Sequence, residues 1–256
     1  MDFRASILGL VVGFLVGLTG TGGGALLTPL LIVLGWAPPV VAVGTDLVSG
    51  AVTRATGAFI HWRQGTVDLS IVKLLAIGSI PGALAGLALL AHLRSSGGGN
   101  PDRLVLRMLG VALVGVALSM FLRCFRGSQE NLIRHEDNLR RRRWLTTLVG
   151  AVVGFLVSLT SVGSGSLIIA CLVVLYRGTP LRRIVGSDIV HALVLVAVAA
   201  VGHLGMGSIN RSLLGALLLG SVPGVLLGSR MSALVPERAL RPVLGTTLLL
   251  LGYKLL

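Results

Sequence analysis

Two glycine-rich segments interrupt long apolar runs of the chain. The first reads Gly-Thr-Gly-Gly-Gly at residues 20–24, within an apolar run from about Ala5 to Gly35. The second reads Ser-Val-Gly-Ser-Gly at residues 161–165, within a run from Leu145 to Tyr176. Clustered glycines break a helix, since each costs roughly 1 kcal/mol relative to alanine in a helix interior. A half-helix that starts after such a break presents free N–H groups and partial positive charge, so both segments predict an anion site.

Side chains around both breaks have the types that bind an anion. We expect half-helices to begin near Ala25 and Ser166, with glycines supplying N–H groups and the other residues hydroxyl donors. Close packing of helices through small residues is the alternative interpretation. The candidate substrate-binding residues at the breaks are Thr19, Thr21, Gly22, Gly23, Gly24, Thr160, Ser161, Gly163, Ser164, Gly165 and Ser166.

Ionisable residues inside apolar stretches are further candidates. Arg54 lies about 12 Å beyond Asp46 along one predicted helix. A guanidinium at that depth requires an anionic partner, either a carboxylate of the protein or a substrate. Asp46 and Asp188 each follow Gly-Thr or Gly-Ser, where we expect either a helix cap or a proton-coupling group. His191 is a third candidate for proton coupling, or else a hydrogen-bonded structural histidine.

The sequence contains no motif that indicates catalysis. HExxH, GxSxG and Walker-type glycine-lysine sequences are absent. The five histidines have no metal-like spacing, and His61 and His203 end predicted helices, where we expect them to cap at the membrane interface. Cys124 and Cys171 lie in unrelated contexts. We therefore expect no catalytic residue, metal or cofactor, and a secondary transporter or a channel rather than an enzyme.

Composition places these candidates in a membrane. Of the 256 residues 54% are hydrophobic and 12% are charged, and the mean hydropathy is +0.93, whereas about 25% charged is usual for soluble domains. Apolar runs long enough to cross a bilayer recur along the whole length. The net charge of +13 is explained by arginines in cytoplasmic loops that face anionic lipid, without nucleic acid as a partner.

The chain is a tandem repeat. Matched blocks recur in order about 141 residues apart, which chance rarely produces. The pairs are Gly13–Thr19 with Gly154–Thr160, Gly44–Val48 with Gly186–Val190, His61 with His203, Gly65–Asp68 with Gly207–Asn210, and Ser79–Gly82 with Ser221–Gly224. In this register Val196 replaces Arg54 and His191 replaces Ser49. We predict a first transmembrane repeat at residues 1–122, a basic linker at 123–143 and a second repeat at 144–256.

Each repeat is predicted to contain a glycine-broken segment and three membrane-spanning helices. The predicted helices are Val41–His61, Leu69–His92 and Arg103–Leu122, then Ile184–His203, Ser212–Ala233 and Ala239–Leu256. If the broken segments are re-entrant hairpins, the basic residues other than Arg54 divide 15 to 6 between the two sides, whereas crossing segments give 12 to 9. The positive-inside rule favours the hairpins. We therefore predict an all-α polytopic protein of two inverted repeats in the cell inner or plasma membrane, with both termini outside and the linker cytoplasmic.

The motifs resemble those of the sulfite exporter TauE/SafE family of bacterial and archaeal membrane proteins. The resemblance covers nearly the whole chain and rests on Gly17–Gly24, Pro29-Leu30, Gly44–Leu47 and Gly78–Ala83. The family's usual Gly-Thr-Ser reads Gly-Thr-Asp here, and the second glycine motif is thinner than the first. The resemblance implies export of sulfite or a related organosulfur anion.

We therefore expect a secondary transporter that exports a small anion, with sulfite or an organosulfonate as the first expectation and with proton coupling. Its expected partners are the anion and the lipid bilayer. The sequence is compatible with a monomer or a homo-oligomer. Two alternatives remain at this point. One is a passive anion channel of the same architecture, and the other is a membrane scaffold that does not transport and whose basic linker docks an acidic partner.

Overall fold

A computed structural model describes residues 3–19, 23–96, 99–125, 139–176, 178–231 and 237–256. These residues form α-helices and one 3₁₀ turn, and no strand occurs among them, which confirms the all-α prediction. The helices are α1 (Phe3–Thr19), α2 (Leu27–Val33), α3 (Pro39–Arg63), α4 (Leu69–Ser95), α5 (Pro101–Phe125), α6 (Leu139–Thr160), α7 (Ser166–Leu175), α8 (Leu181–Gly205), α9 (Arg211–Met231) and α10 (Glu237–Leu255), and the 3₁₀ turn is Gly23–Ala25.

Both predicted helix breaks are present. α1 ends before the first glycine segment, and α2 begins after the 3₁₀ turn, two residues later than expected. The second break lies between α6 and α7. There, φ is 61° at Ser161 and 107° at Gly163, and this left-handed backbone cannot continue a right-handed helix. Residues 20–22 lie outside the described part of the chain, so the structure describes only the flanks of the first break.

In the described part of the chain, five helices have the length and apolar composition needed to cross a membrane. They are α4, α8 and α9 over their full lengths, residues 101–121 of α5 and residues 142–160 of α6. This finding confirms a polytopic membrane protein. α3 is as long as its repeat counterpart α8, but Asp46 and Arg54 make it more polar. Pro81 and Pro223 lie inside α4 and α9 without ending them.

The matched helices α3 and α8 pack against each other in antiparallel orientation. Gly50 on α3 faces Val196 on α8, and Gly57, two turns later, faces the earlier residue Ile189. The matched helices α5 and α10 also pack together. Their order is reversed in the same way, since Gly110 lies against Leu256 at the end of the chain. Antiparallel packing of matched helices is what two inverted copies produce.

Glycine stripes join each broken segment to the other repeat. Gly9, Gly13 and Gly17 form a stripe on α1 that lies directly against the backbone of α9. The facing stripe on α9 consists of Gly220, Gly224 and Gly228. α6 packs on α4 in the same manner through glycines on both helices. Small residues spaced by four let helix backbones touch in a membrane, so each repeat completes the packing surface of the other.

The direction of the helices bears on the path of α7. Ser79 and Arg94 on α4 bond His191 and Met206 on α8, so these two helices are parallel. α6 is also parallel to α4, because its contacts with α4 advance along both helices together. Since α6 and α8 then point the same way, the chain between them has to return. This geometry supports a re-entrant hairpin formed by the end of α6 and α7.

Replacing Gly220 by alanine should lower the free energy of unfolding by about 1–3 kcal/mol, because the added methyl group overlaps the carbonyl oxygen of Ser6 on α1. Gly215 on the same helix is the matched control, since a methyl group there meets no atom within 4 Å. Unfolding of the two variants in detergent measures the difference. Equal stability of the variants would contradict the close packing of α1 on α9.

Candidate functional site

The two glycine breaks meet at Gly24 and Ser161. The backbone of Gly24 lies so close to the carbonyl oxygen of Ser161 that a side chain at residue 24 has no space. Next to this contact, Val162 belongs to the same buried apolar cluster as Ala25 and Leu26. The two breaks, predicted separately from the sequence, are therefore parts of one centre.

Asp46 connects α3 to both glycine-broken segments. Its side chain is only 1% exposed, and its carboxylate accepts a hydrogen bond of 2.5 Å from the Thr28 hydroxyl of α2. The Ser161 hydroxyl is also within hydrogen-bonding reach of Asp46. The helix-cap interpretation is wrong for this residue, because α3 already begins at Pro39. The Asp102 carboxylate of α5 instead accepts the N–H of Val40 in the first turn of α3, at 3.0 Å.

The hydroxyl residues before the two aspartates hold the repeats together. Thr45 Oγ1 accepts a hydrogen bond from the N–H of Asn210, at 3.2 Å. In the matched position, Ser187 Oγ accepts one from the N–H of Asp68, at 2.8 Å. Each motif therefore binds the residue just before the next helix of the other repeat. Asp188, like Asp46, is buried inside its helix and does not cap it.

A small cavity with a mostly apolar lining lies beside Asp46, between α1, α3 and α9. Its volume of about 20 Å³ is enough for one water molecule or one small ion. Besides apolar residues and glycines, its lining contains Asp46, Ser49, Thr53 and Ser221. Ser221 is 5% exposed, and its hydroxyl has no hydrogen-bond partner. The cavity is therefore lined by a buried hydroxyl group, that of Ser221, which makes no hydrogen bond.

At the matching place in the fold, an imidazole replaces one of the two serines that line this cavity. His191 and Ser79 occupy the positions that match Ser49 and Ser221. His191 is fully buried, and its Nε2 lies 2.8 Å from Ser79 Oγ. This contact favours the structural interpretation of His191. The matching pairs therefore differ. One is a histidine that is hydrogen-bonded to a serine, and the other is two serines beside a cavity.

Arg54 is half-buried and lies between the two aspartates. Its charge interaction with Asp188 is larger than that with Asp46. The helix pairing explains this order, since Arg54 is about 6 Å from Asp188 along the helix axes and about 12 Å from Asp46. In the described part of the chain Arg54 makes no hydrogen bond or ion pair within 4.0 Å. Its guanidinium donors are thus available to an anion.

The hydroxyl candidates at the second break have different environments. Thr160 donates to the carbonyl of Leu156 and accepts from the N–H of Val162, so it shapes the turn. Ser164 is 1% exposed, and its hydroxyl has no partner. It lies at the N-terminus of α7, where Gly165 provides no side-chain cap. The side chain of Ser166 is outside the described part of the structure.

The candidates at the first break are only partly described. Thr21 and Gly22 lie outside the described residues. Thr19 donates a hydrogen bond of 2.8 Å to the carbonyl of Leu15, within its own helix. Gly23 lines the cavity beside Asp46, whereas Gly24 lies against Ser161.

The two helix-ending histidines are not equivalent. Of the two predicted interfacial caps, His61 is half-buried, and its Nδ1 lies 2.9 Å from Thr66 Oγ1. The prediction is wrong for His203, which is fully buried and whose Nε2 lies 2.9 Å from the carbonyl oxygen of Ser158 on α6. Ser158 of α6 and Gly44 of α3 both lie against this side chain.

The model of the sulfite exporter TauE/SafE family matches residues 5–255. The chain belongs to this family. It is 44% identical to the "Probable membrane transporter protein YjnA" of Bacillus subtilis (strain 168) over 100% of both chains. It is 24% identical to YdhB of the same organism, also named a probable membrane transporter protein, over 98% of this chain and 96% of that one. No solved structure matches the chain significantly. The TauE/SafE membership and these relatives support transport as the general function.

Thr45→Val should lower the free energy of unfolding by about 1 kcal/mol, because the N–H of Asn210 loses its acceptor while the buried volume is kept. Thr45→Ser retains the hydroxyl and should lose less. Denaturant unfolding in detergent compares the two variants. A larger loss for serine than for valine would mean that the methyl group matters more than the hydrogen bond.

Proposed function

We propose that the protein is a secondary transporter that exports a small anion, with sulfite or an organosulfonate as the substrate class. The observation that carries the proposal is the N-terminus of α7. This end has no side-chain cap, adjoins the unpartnered hydroxyl of Ser164 and lies at the meeting point of the two hairpins. Free N–H groups, a buried hydroxyl and the positive end of a helix dipole together favour an oxyanion.

Arg54 is the proposed second contact of the anion. Its donors are not used within the described chain, and a guanidinium can bind two oxygens of a sulfite or sulfonate group at once. The family name supports sulfur oxyanions as the class. The remaining hairpin candidates, including Thr19, Thr21, Gly22 and Ser166, belong to the same proposed site.

The transport mechanism follows from the repeat architecture. Antiparallel packing of α3 on α8 supports inverted repeats, and movement of one repeat against the other would open the site to each side in turn. Both termini would then lie outside, with the linker 123–143 in the cytoplasm. Asp46, Asp188 and His191 are the candidates for coupling the movement to a proton gradient.

Uptake into proteoliposomes tests the function directly. The panel contains sulfite, sulfate, thiosulfate, sulfoacetate and acetate, each with and without an imposed proton gradient. We expect saturable flux of one sulfur oxyanion, with loss of flux in Arg54→Ala. Flux that neither saturates nor responds to a gradient would indicate a channel. No flux of any member by correctly inserted protein would contradict the proposed substrate class.

Ser164→Ala should raise the KM for the anion by about tenfold or more, because one hydrogen bond to a charged ligand is lost. Its thermal stability should not fall, since the hydroxyl has no protein partner to lose. Ser208→Ala is the matched control, because Ser208 is also buried and unpartnered but lies in the connection between α8 and α9. An equal change of KM in both variants would remove Ser164 from the site.

Labelling of single cysteines tests the hairpins. Pro38 and Leu181 are exposed and follow the first and second broken segments. In a background without Cys124 and Cys171, an impermeant thiol reagent applied from outside should label Pro38→Cys but not Leu181→Cys. Re-entrant segments place these residues on opposite sides of the membrane. Labelling of both from the same side would mean that the segments cross it.

A further inference from the structure

We propose that the cavity beside Asp46 is a binding site for one monovalent metal cation, and that Na⁺ is the ion it takes. The binding site stands on its own geometry, and only the role of the ion in coupling rests on the proposed function. The cavity lies between α1, the first turn of α2, α3 and α9 of the other repeat.

The lining provides the oxygen atoms that a hard cation requires. Asp46 contributes a carboxylate, and Ser49, Thr53 and Ser221 contribute hydroxyl oxygens. Thr53 donates its proton to backbone carbonyls of its own helix, which leaves its lone pairs unused by that bond. The unpartnered Ser221 hydroxyl, at 5% exposure, is the independent indication that a ligand is bound there.

The second repeat shows what this position accepts. On α8 of this repeat, His191 stands one turn after Asp188. Its imidazole bonds Ser79 on α4 of the first repeat, the residue that matches Ser221. The first repeat has Ser49 instead of the imidazole, together with the cavity. Beside Asp188, the imidazole of His191 bonds the serine of α4. Beside Asp46, a ligand bound in the cavity would bond the matching serine of α9, Ser221.

The charges favour a cation over an anion or a neutral ligand. Arg54 interacts more strongly with Asp188 than with Asp46, so this arginine offsets less of the charge of Asp46. An uncompensated charge at this depth is costly in a membrane. Val16, in the last turn of α1, also borders the cavity, and the C-terminal end of a helix carries partial negative charge. In transporters, such ends of broken helices coordinate Na⁺ or protons.

A monovalent ion fits better than a divalent ion or a proton. Divalent cations bind several charged ligands, and in the described part of the chain no three His, Cys, Asp or Glu residues converge. A proton needs neither a cavity nor a ring of hydroxyl oxygens. The Thr28 hydroxyl already donates a hydrogen bond to Asp46. The small volume disfavours ions larger than Na⁺.

Binding of Na⁺ beside Asp46 would affect the anion site. The same carboxylate is contacted by Thr28 of the first hairpin and lies within reach of Ser161 of the second. A cation beside Asp46 would thus hold the two hairpins in the arrangement that presents α7 to the anion. It would also offset the charge that the anion brings in.

Thermal unfolding in detergent tests the site without any transport. Replacing KCl by NaCl at constant ionic strength should raise the Tm of the wild-type protein by several degrees. Asp46→Asn should abolish this Na⁺-specific shift. Ser49→His, which copies the second repeat and fills the cavity, should abolish it too. Ser221→Ala removes one ligand oxygen but no hydrogen bond, so it should retain the fold and need several-fold more NaCl for half of the shift.

Ser79→Ala, at the position on α4 that matches Ser221 on α9, is the control, and it should retain the full Na⁺ response. Identical Tm values in NaCl and KCl for the wild-type protein would overturn the proposal. A Na⁺ shift that survives in both Ser221→Ala and Ser49→His would also overturn it. If no anion moves in proteoliposomes while the Na⁺ shift is present, the proposed function fails and the ion site stands. If an anion moves but NaCl does not shift the Tm, the ion site fails and the proposed function stands.

Discussion

Direct contact between helix backbones through glycine is the interaction on which the rest of the structure depends. Lipid is as apolar as leucine, so burying apolar side chains gives membrane helices little reason to associate, and close packing has to supply the attraction. The glycine stripes of α1 and α9 provide such packing, and those of α4 and α6 repeat it. Because both contacts join one repeat to the other, they hold the helices that precede the breaks. Gly24 and Ser161 can therefore meet in the interior.

Much of the fold was predictable because apolar length and glycine clusters act locally. The predicted helix Leu69–His92 is found as Leu69–Ser95, and the break at residues 161–165 lies where the glycines indicate. α3 begins two residues earlier than predicted, because Pro39 fits the first turn of a helix. The partners of the glycine stripes were not predictable. A stripe shows that a helix makes a close contact, but two similar repeats allow that contact within a repeat or between repeats.

Candidate residues could be predicted where charge stands out against an apolar background, as for Asp46, Asp188 and Arg54. The repeat register drew attention to His191, which replaces Ser49. Arg54 lies within electrostatic range of both aspartates and of His191. Serine gives no such signal, because it occurs throughout membrane helices. Ser221 was visible only as part of a repeated block, and its free hydroxyl depends on which helices face it.

The exchange of packing surfaces between the repeats has a consequence for synthesis. α1 is synthesised well before α9, the helix that covers its glycine stripe. Until α9 is made, the stripe lacks the helix that packs on it. Insertion into the bilayer and completion of the tertiary structure are thus separate events, and the first half of the protein must persist in the membrane, or with a chaperone, until the second half arrives.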